Sequence, residues 1–423
     1  MGKFRIRGGR KLEGDIRVIG AKNAILPILA AVILTRKTVV LYDFPSLADV
    51  ENMLLILQSI GCRVKRENTT LIVDPSDVNS WVIPDRHVKE IRSSIVMLGA
   101  VLARMKKAKI TYPGGCEIGQ RPINLHLQGL RQLGVIIDES YGYLECEAAN
   151  MVGADIHLDY PSVGATENIM LAATRAKGRT IIRNAAKEPE IVDLQNFINS
   201  MGGKVYGAGS NTIFIDGVEE PFHETEYTVI PDRIVAGTYL MAAAITGSEL
   251  NVHNVNLEHM QSVVTKLRES GCMITPYKDK GSAAGSLRIK APQRLWAIEN
   301  TKTYPYPGFP TDMQALLMSV LTVAKGTSII TENIFENRFK HVPELIRMGA
   351  NIRTEGKIAV IQGVPGLKGA EVCAGDLRGG AALVIAGLKA EGETIIDNIH
   401  HIERGYENLD QCLRSIGADM ERI

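Results

Sequence analysis

Six times along this chain a helix-like run ends on a glycine and passes directly into a strand-like segment: LQSIGCRV, LRQLGVII, INSMGGKV, LRESGCMI, IRMGANI and LRSIGADM. The glycines concerned, Gly61, Gly134, Gly202, Gly271, Gly349 and Gly417, recur 68 to 78 residues apart. A helix leaves most easily through a left-handed residue, and glycine takes that conformation without a Cβ penalty. A second landmark falls between them in AATRAKGRTIIRN, AAAITGSELNVHN, SVLTVAKGTSIITEN and IAGLKAEGETIIDN. Each is an apolar, small-residue helix, a glycine and then a β-branched strand. ILAAVILTRKTVVLYD and LGAVLARMKKAKITYP repeat the element without the glycine. A unit of about seventy residues thus reads helix, strand, helix, strand, with a further short strand such as TTLIV (69–73) or IAVIQ (358–362). Solenoid repeats are shorter, about 20–50 residues. Six α+β units of this size predict two lobes of three, with helices packed inside a ring of small sheets.

The 423 residues exceed what one hydrophobic core serves, in keeping with two lobes. With 48 basic and 47 acidic residues the net charge is +1, which argues against nucleic-acid or membrane-surface partners. An anionic ligand must then be met by locally clustered cations. The start, MGKFRIRGGRKL, lacks the apolar core of a signal peptide. The longest apolar run, AILPILAAVIL at 24–34, is too short to span a bilayer and contains Pro27. A cytoplasmic protein without membrane insertion is expected. The six cysteines include no CxxC pair, and none of the nine histidines sits at finger-like spacing from two of them, so neither a bound metal nor a disulfide framework is expected.

The repeat also sorts the cysteines. Cys62 and Cys272 directly follow a helix-ending glycine, Cys146 lies in a strand and Cys412 in the last helix. All four read as buried structural thiols, and Cys373 leans the same way. Cys116 alone belongs to no repeated element: it sits in PGGCEIGQRP (113–122), a glycine-flanked loop with Arg121 nearby.

The first helix of each unit begins in GAKNAILPILAA, IRSSIVMLGA, SVGATENIMLAA, PDRIVAGTYLMAAA, PTDMQALLMSVL or DLRGGAALVIAG. The bodies are apolar on nearly every face, yet the starts carry Lys22 and Asn23, Arg92, Ser162 to Gly164, Asp232 and Arg233, Asp312, and Asp376 and Arg378. Thr311, Ser162 and Asp232 read as N-caps. A cation at a helix start is opposed by the dipole, so Lys22, Arg92 and Arg378 bear a cost that an anionic ligand would offset.

With these stretches the chain resembles the UDP-N-acetylglucosamine 1-carboxyvinyltransferases, enolpyruvyl transferases of peptidoglycan synthesis, over essentially its full length. The matching segments are GAKNAILP, PGGCEIGQRPINLH, SVGATENIM, AAKEPEIVD, PDRIVAGTYL, FPTDMQA, TENIFENRF, GDLRGGAALV and HIERGY. The resemblance implies an α+β fold of two inside-out α/β barrel lobes, three repeats in each. Residues 22–230 would form the lobe carrying the Cys116 loop, and 1–21 with 231–423 the lobe carrying Asp312, Arg378 and Arg404. A cleft closing on the nucleotide sugar is expected.

The implied reaction transfers the enolpyruvyl group of phosphoenolpyruvate to the 3-hydroxyl of UDP-N-acetylglucosamine, releasing phosphate through a tetrahedral intermediate without metal or cofactor. In the family the loop cysteine, here Cys116, is the proton donor and the target of the epoxide fosfomycin. Lys22, Arg121 and Arg404 match residues that hold phosphoenolpyruvate, Asn23 one that meets the sugar, and Asp312 the carboxylate over the 3-hydroxyl. Arg121, Pro122, Ile123, Asn124 and Leu125 match the uridine pocket, with Arg92 nearby. Ser162, Val163 and Gly164 match the diphosphate amides, and the Ile334 backbone the sugar end. Arg338, Asp376 and Arg378 complete the charged wall.

Two departures concern nucleotide affinity: Asn124 stands where the family has aspartate, and Tyr160 where some members have a lysine. The shikimate-pathway enolpyruvyl transferase shares fold and mechanism but lacks the loop cysteine and a uridine pocket. A silent nucleotide-sugar sensor is disfavoured by the intact Lys22, Cys116, Asp312 and Arg404. A redox thiol protein would want a second cysteine near Cys116. A monomer or weak homo-oligomer is expected.

Overall fold

All six helix-ending glycines adopt φ between +89° and +113°, the left-handed exit that their spacing predicts. The computed structural model describes residues 2–114, 118, 122–277 and 284–423. Cys116 and Arg121 therefore lie outside the described residues.

The inner helices of the six repeats are α1 (Lys22–Val32), α2 (Met97–Met105), α3 (Val163–Ala173), α4 (Arg233–Thr246), α5 (Thr311–Leu321) and α6 (Leu377–Lys389). Every residue of α4 after Arg233 is buried, as its run of alanine, isoleucine, leucine and methionine requires. Such a helix has no solvent face and must be wrapped on all sides. Gly99 of α2 shows how tightly: a Cβ there would stand 2.2 Å from the Asn168 carbonyl oxygen of α3.

The wrapping comes from small sheets, five of four strands and one of three among the described residues. In one, Val39–Tyr42 runs antiparallel to Thr70–Asp74, which forms a hairpin with Arg63–Glu67. Thr225–Thr228 then adds in parallel to the free edge, Thr225 opposite Val39. In another, Phe4–Arg7 lies between Glu393–Asp397 and Asp419–Arg422, with Phe4 opposite both Ile396 and Arg422. Glu13–Arg17 likewise runs parallel to Glu249–His253.

These pairings divide the chain into two compact units. One comprises Gly20–Cys116 and Arg121–Ile230; the other comprises Met1–Ile19 and Pro231–Ile423, with Ile118. Each has its own hydrophobic core, one running from Ala21 to Val229 and the other from Phe4 to Val18 and from Ile234 to Met420. Among the described residues no helix is long and apolar enough to cross a membrane, and no cluster of three or more His, Cys, Asp or Glu could hold a metal ion.

Four expectations need correction. Arg92 opens a 3-10 segment, Arg92–Val96, ahead of α2 rather than an α-helix. Thr311 is the first residue of α5, not its cap; the cap position is Pro310, and the Thr311 hydroxyl donates to Glu332 Oε2 at 2.9 Å. Ser162 and Asp232 do cap, accepting from Ala165 and from Ile234 and Val235. Cys373 is exposed, because it lies on the outward face of its short strand, Glu371–Cys373, where Val372 takes the buried place. Cys412 is only half-buried, whereas Cys62, Cys146 and Cys272 are buried.

In the first unit the helix Pro189–Ser200 is strapped by the strand Thr225–Thr228: the Tyr227 hydroxyl donates to Asp193 Oδ1 at 2.5 Å, and the Ile230 N–H to Oδ2 at 3.4 Å. Burial pushes the Asp193 carboxyl up to about 7 despite these donors. An ordinary aspartate titrates near ~3.9, so the folded chain keeps a proton that the unfolded chain releases. The resulting stability is complete below about pH 4 and is lost as pH rises to about 7. Asp193→Asn should remove this slope: melting temperatures of wild type and variant should converge at low pH and diverge in the variant's favour towards neutrality. Parallel curves from pH 4 to 8 would exclude the linkage.

Candidate active site

The α1 start places Lys22 where the sequence puts it, but not as an uncompensated charge. Lys22 Nζ lies 2.6 Å from Asp49 Oδ2, and both side chains are almost fully buried. Asp49 belongs to the helix Ala48–Ser59, and no sequence motif pointed to it. Asn23, next on α1, is exposed.

In the same unit Arg92 donates to the Gly114 carbonyl at 3.3 Å, which ties it to the chain just before the Cys116 loop. Pro122 and Asn124 are exposed, Leu125 half-buried and Ile123 buried at the start of the helix Asn124–Gln132. Ser162, Val163 and Gly164 are half-buried at the α3 start. Ser162 Oγ takes the Ala165 N–H, and the amides of Val163 and Gly164 precede the first intrahelical hydrogen bond. That leaves two N–H groups and a positive dipole end for an anion. Tyr160 is 44% exposed just ahead of them, so it can be reached by a ligand there.

The second unit carries the acid. Asp312, in the first turn of α5, accepts from Arg338 Nη2 at 2.7 Å on Oδ1 and from Arg378 Nη2 at 3.0 Å on Oδ2. Both arginine side chains are only 4% exposed, against 26% for Asp312. Burial works against the Arg378 charge, but Asp312, Tyr406 and Asp232 outweigh it and raise its pKa above the ordinary value. Among the described residues, Arg338 Nε and Arg378 Nε and Nη1 are buried without a hydrogen-bond partner. Such donors are costly to leave unmade, which suits them to an oxyanion.

Each part of this clamp is braced. Asp376 caps α6, its Oδ1 accepting from the Arg378 and Gly379 N–H groups at 3.0 Å each. The Arg378 guanidinium sits 5.5 Å from the Tyr406 ring centre. Tyr406 and Thr238 share a 2.8 Å hydrogen bond, and the Thr238 hydroxyl donates to the Ile234 carbonyl. Thr238 has one proton, already spent, so Tyr406 is the donor between them. Its remaining lone pairs face the guanidinium. Glu332, fully buried, accepts on Oε1 from Thr303 Oγ1 and the Ile334 N–H, both at 2.8 Å, and on Oε2 from Thr311. This fixes the residue before Asp312 and occupies the Ile334 amide.

The structure thus brings Asp312, Arg338, Arg378 and Asp376 together. Arg404 is the half-buried C-cap of the short helix His400–Glu403. Sequence reasoning missed Asp49, Glu332, Thr238 and Tyr406. Glu332 and Tyr406 lie inside the matching segments TENIFENRF and HIERGY, which was the available signal.

A family model described as EPSP synthase (3-phosphoshikimate 1-carboxyvinyltransferase) matches residues 6–413. The chain is 56% identical over 423 residues to UDP-N-acetylglucosamine 1-carboxyvinyltransferase 2 of Caldanaerobacter subterraneus subsp. tengcongensis, covering 100% of both. It is 51% identical to UDP-N-acetylglucosamine 1-carboxyvinyltransferase 1 of Symbiobacterium thermophilum, covering 100% of this chain and 95% of that one. Among solved structures it is similar to the enolpyruvyl transferase NikO from Streptomyces tendae, with a TM-score of 0.87 at 22% identity over 100% and 98% of the two chains. The EPSP synthase of Acinetobacter baumannii follows with a TM-score of 0.76 at 18% identity, covering 100% of each. At such identities the two structures speak for the fold alone.

Proposed function

The chain belongs to the EPSP synthase family of enolpyruvyl transferases, and from that membership we propose that it transfers the enolpyruvyl group of phosphoenolpyruvate to the 3-hydroxyl of UDP-N-acetylglucosamine. The observation that carries the choice of acceptor is the 56% identity, end to end, with a relative named for that reaction. The product would enter peptidoglycan precursor synthesis. We take the protein to act in the cytoplasm, as a monomer or weak homo-oligomer, which gel filtration tests.

The residues suit an addition followed by an elimination. In the addition Asp312 removes the proton of the 3-hydroxyl, whose oxygen bonds to C2 of phosphoenolpyruvate. The C2–C3 π electrons take up a proton from the Cys116 thiol at C3. In the elimination C3 loses a proton, the double bond returns and the C2–O bond to phosphate breaks. General acid and base groups of this kind contribute about 10²–10⁴-fold each. Lys22, Arg121 and Arg404 hold the phosphoenolpyruvate anion. Because the Ile334 amide is taken by Glu332, its carbonyl is the atom left to meet the sugar. Asn23 faces the sugar, and Arg92 with Pro122 to Leu125 the uridine.

The deciding assay is phosphate release from phosphoenolpyruvate with UDP-N-acetylglucosamine against phosphoenolpyruvate with shikimate 3-phosphate. Turnover only with the second acceptor would overturn the proposal. Arg404→Ala should raise KM for phosphoenolpyruvate at least about tenfold, the loss of a bond to a charged group. Lys22→Ala should do the same but also melt earlier, because Asp49 loses its ion-pair partner. Wild-type KM in both variants would remove them from the anion site.

A further inference from the structure

His126 is 6% exposed on the helix Asn124–Gln132, and nothing above gives it a task. Its chemical state can be read from its neighbours. The Gly99 N–H donates to Asn168 Oδ1 at 2.6 Å, which fixes the orientation of that amide. Asn168 Nδ2 then donates to the Ile95 carbonyl and faces His126 Nδ1, each at 3.0 Å. An amide nitrogen cannot accept, so Nδ1 must be the acceptor and carries no proton. Burial pushes the imidazole down to about 4, with Arg92 acting in the same direction, so the ring is neutral near pH 7. A neutral imidazole has one N–H, and here it is on Nε2.

That N–H has no hydrogen-bond partner among the described residues, and its position is informative. A Cβ on Gly164 would stand 3.0 Å from His126 Cε1 and 3.3 Å from Nε2. The ring edge therefore fills the place of a side chain at the α3 start, beside the Val163 and Gly164 amides. An eleven-residue helix N-terminus and the unpartnered N–H of a buried imidazole converge on one spot. Both favour an acceptor that carries negative charge, and a charged donor is not needed there.

We propose that His126 is a binding residue for a diphosphate oxygen of the sugar nucleotide, giving its Nε2 proton alongside the Val163 and Gly164 amides. This rests on the reading of the substrate as a nucleoside diphosphate sugar. Asn168 acts through His126 as a positioning residue, since its amide selects the tautomer. A side chain on Gly164 would press on the ring and require it to shift by a few tenths of an ångström.

Calorimetry with uridine, UMP, UDP and UDP-N-acetylglucosamine tests the assignment. His126→Ala should weaken UDP and UDP-N-acetylglucosamine about ten- to a hundredfold, the loss of one bond to a charged group, and leave uridine unchanged. His126→Gln, which can present an amide N–H near the Nε2 position, should recover most of the loss. Equal weakening of uridine and UDP, or no weakening at all, overturns the proposal while wild-type binding of UDP-N-acetylglucosamine keeps the substrate reading intact. Failure of the wild type to bind either diphosphate overturns the substrate reading itself. Two-bond ¹H–¹⁵N correlation on the wild-type protein gives a readout independent of any variant. A protonated Nε2 that shifts on adding UDP is expected, and a protonated Nδ1 would overturn the assignment.

Discussion

Cys116→Ser should lose about 10²–10⁴-fold in turnover, the range of a general acid, while Cys116→Asp keeps a measurable share of it. A thiol ordinarily titrates near ~8.5 and a carboxylic acid near ~4, whereas a serine hydroxyl gives up no proton near neutrality. The pair of variants therefore separates two roles. If the thiol serves as an acid, aspartate can replace it; if a covalent adduct with phosphoenolpyruvate is obligatory, both fail. Fosfomycin adds a second readout. Burial pushes the thiols of Cys62 and Cys146 up to about 12 and of Cys272 up to about 11, which leaves them poor nucleophiles. Cys373 is exposed and so acts as an internal control for simple accessibility. Peptide mapping should find the adduct at Cys116, formed faster with the sugar nucleotide bound and absent from Cys116→Asp. Adducts mainly at Cys373 would mean that exposure, not an activated thiol, decides the reaction.

Asp312→Ala should be the most damaging change in the second unit, for stability as well as for turnover. Two guanidiniums at 4% exposure would lose their shared carboxylate, and breaking a buried pair costs about 3–5 kcal/mol. The carboxylate is itself 26% exposed, so solvent returns part of this and the lower end is expected. Loss of the base adds about 10²–10⁴-fold in kcat. Asp312→Asn keeps the shape and one acceptor, so its melting temperature should lie between the two while its kcat falls as far as that of Asp312→Ala. The vacated charge should also turn the clamp into an anion trap. Sulfate should raise the melting temperature of Asp312→Ala well above its effect on wild type, by ordinary ligand linkage. A kcat of Asp312→Asn within a few-fold of wild type would remove Asp312 from the role of base.

What could be read from the sequence was whatever depends on neighbours in the chain. The six glycines sit at helix exits because a left-handed residue is needed there, and that need is local. The inner helices follow from their unbroken apolar runs, and Ser162 and Asp232 cap because the cap geometry spans three residues. Thr311 fits the same local rule and breaks it, because Glu332, 21 positions away, competes for its hydroxyl. The brace of Arg378 is less local still: Thr238 and Tyr406 are 168 positions apart. Asp49 lies in a helix that reads as ordinary amphipathic surface until Lys22 is placed against it. Burial gave the wrong answer for Cys373 because a general preference of cysteine for the interior says nothing of the strand's alternation, which turns Val372 inward and Cys373 outward.

The pairing of Phe4–Arg7 with both Glu393–Asp397 and Asp419–Arg422 also sets an order of assembly during translation. The unit that holds Lys22 is finished once Thr225–Thr228 has closed its sheet, before Pro231–Ile423 has been made. Its partner unit begins first and ends last: Phe4 and Ile6 emerge from the ribosome with their neighbouring strands not yet made. Until Asp419–Arg422 leaves the exit tunnel, those apolar side chains must be shielded by something other than their native sheet. The nascent chain therefore carries a completed lobe tethered behind a strand that has yet to find its neighbours.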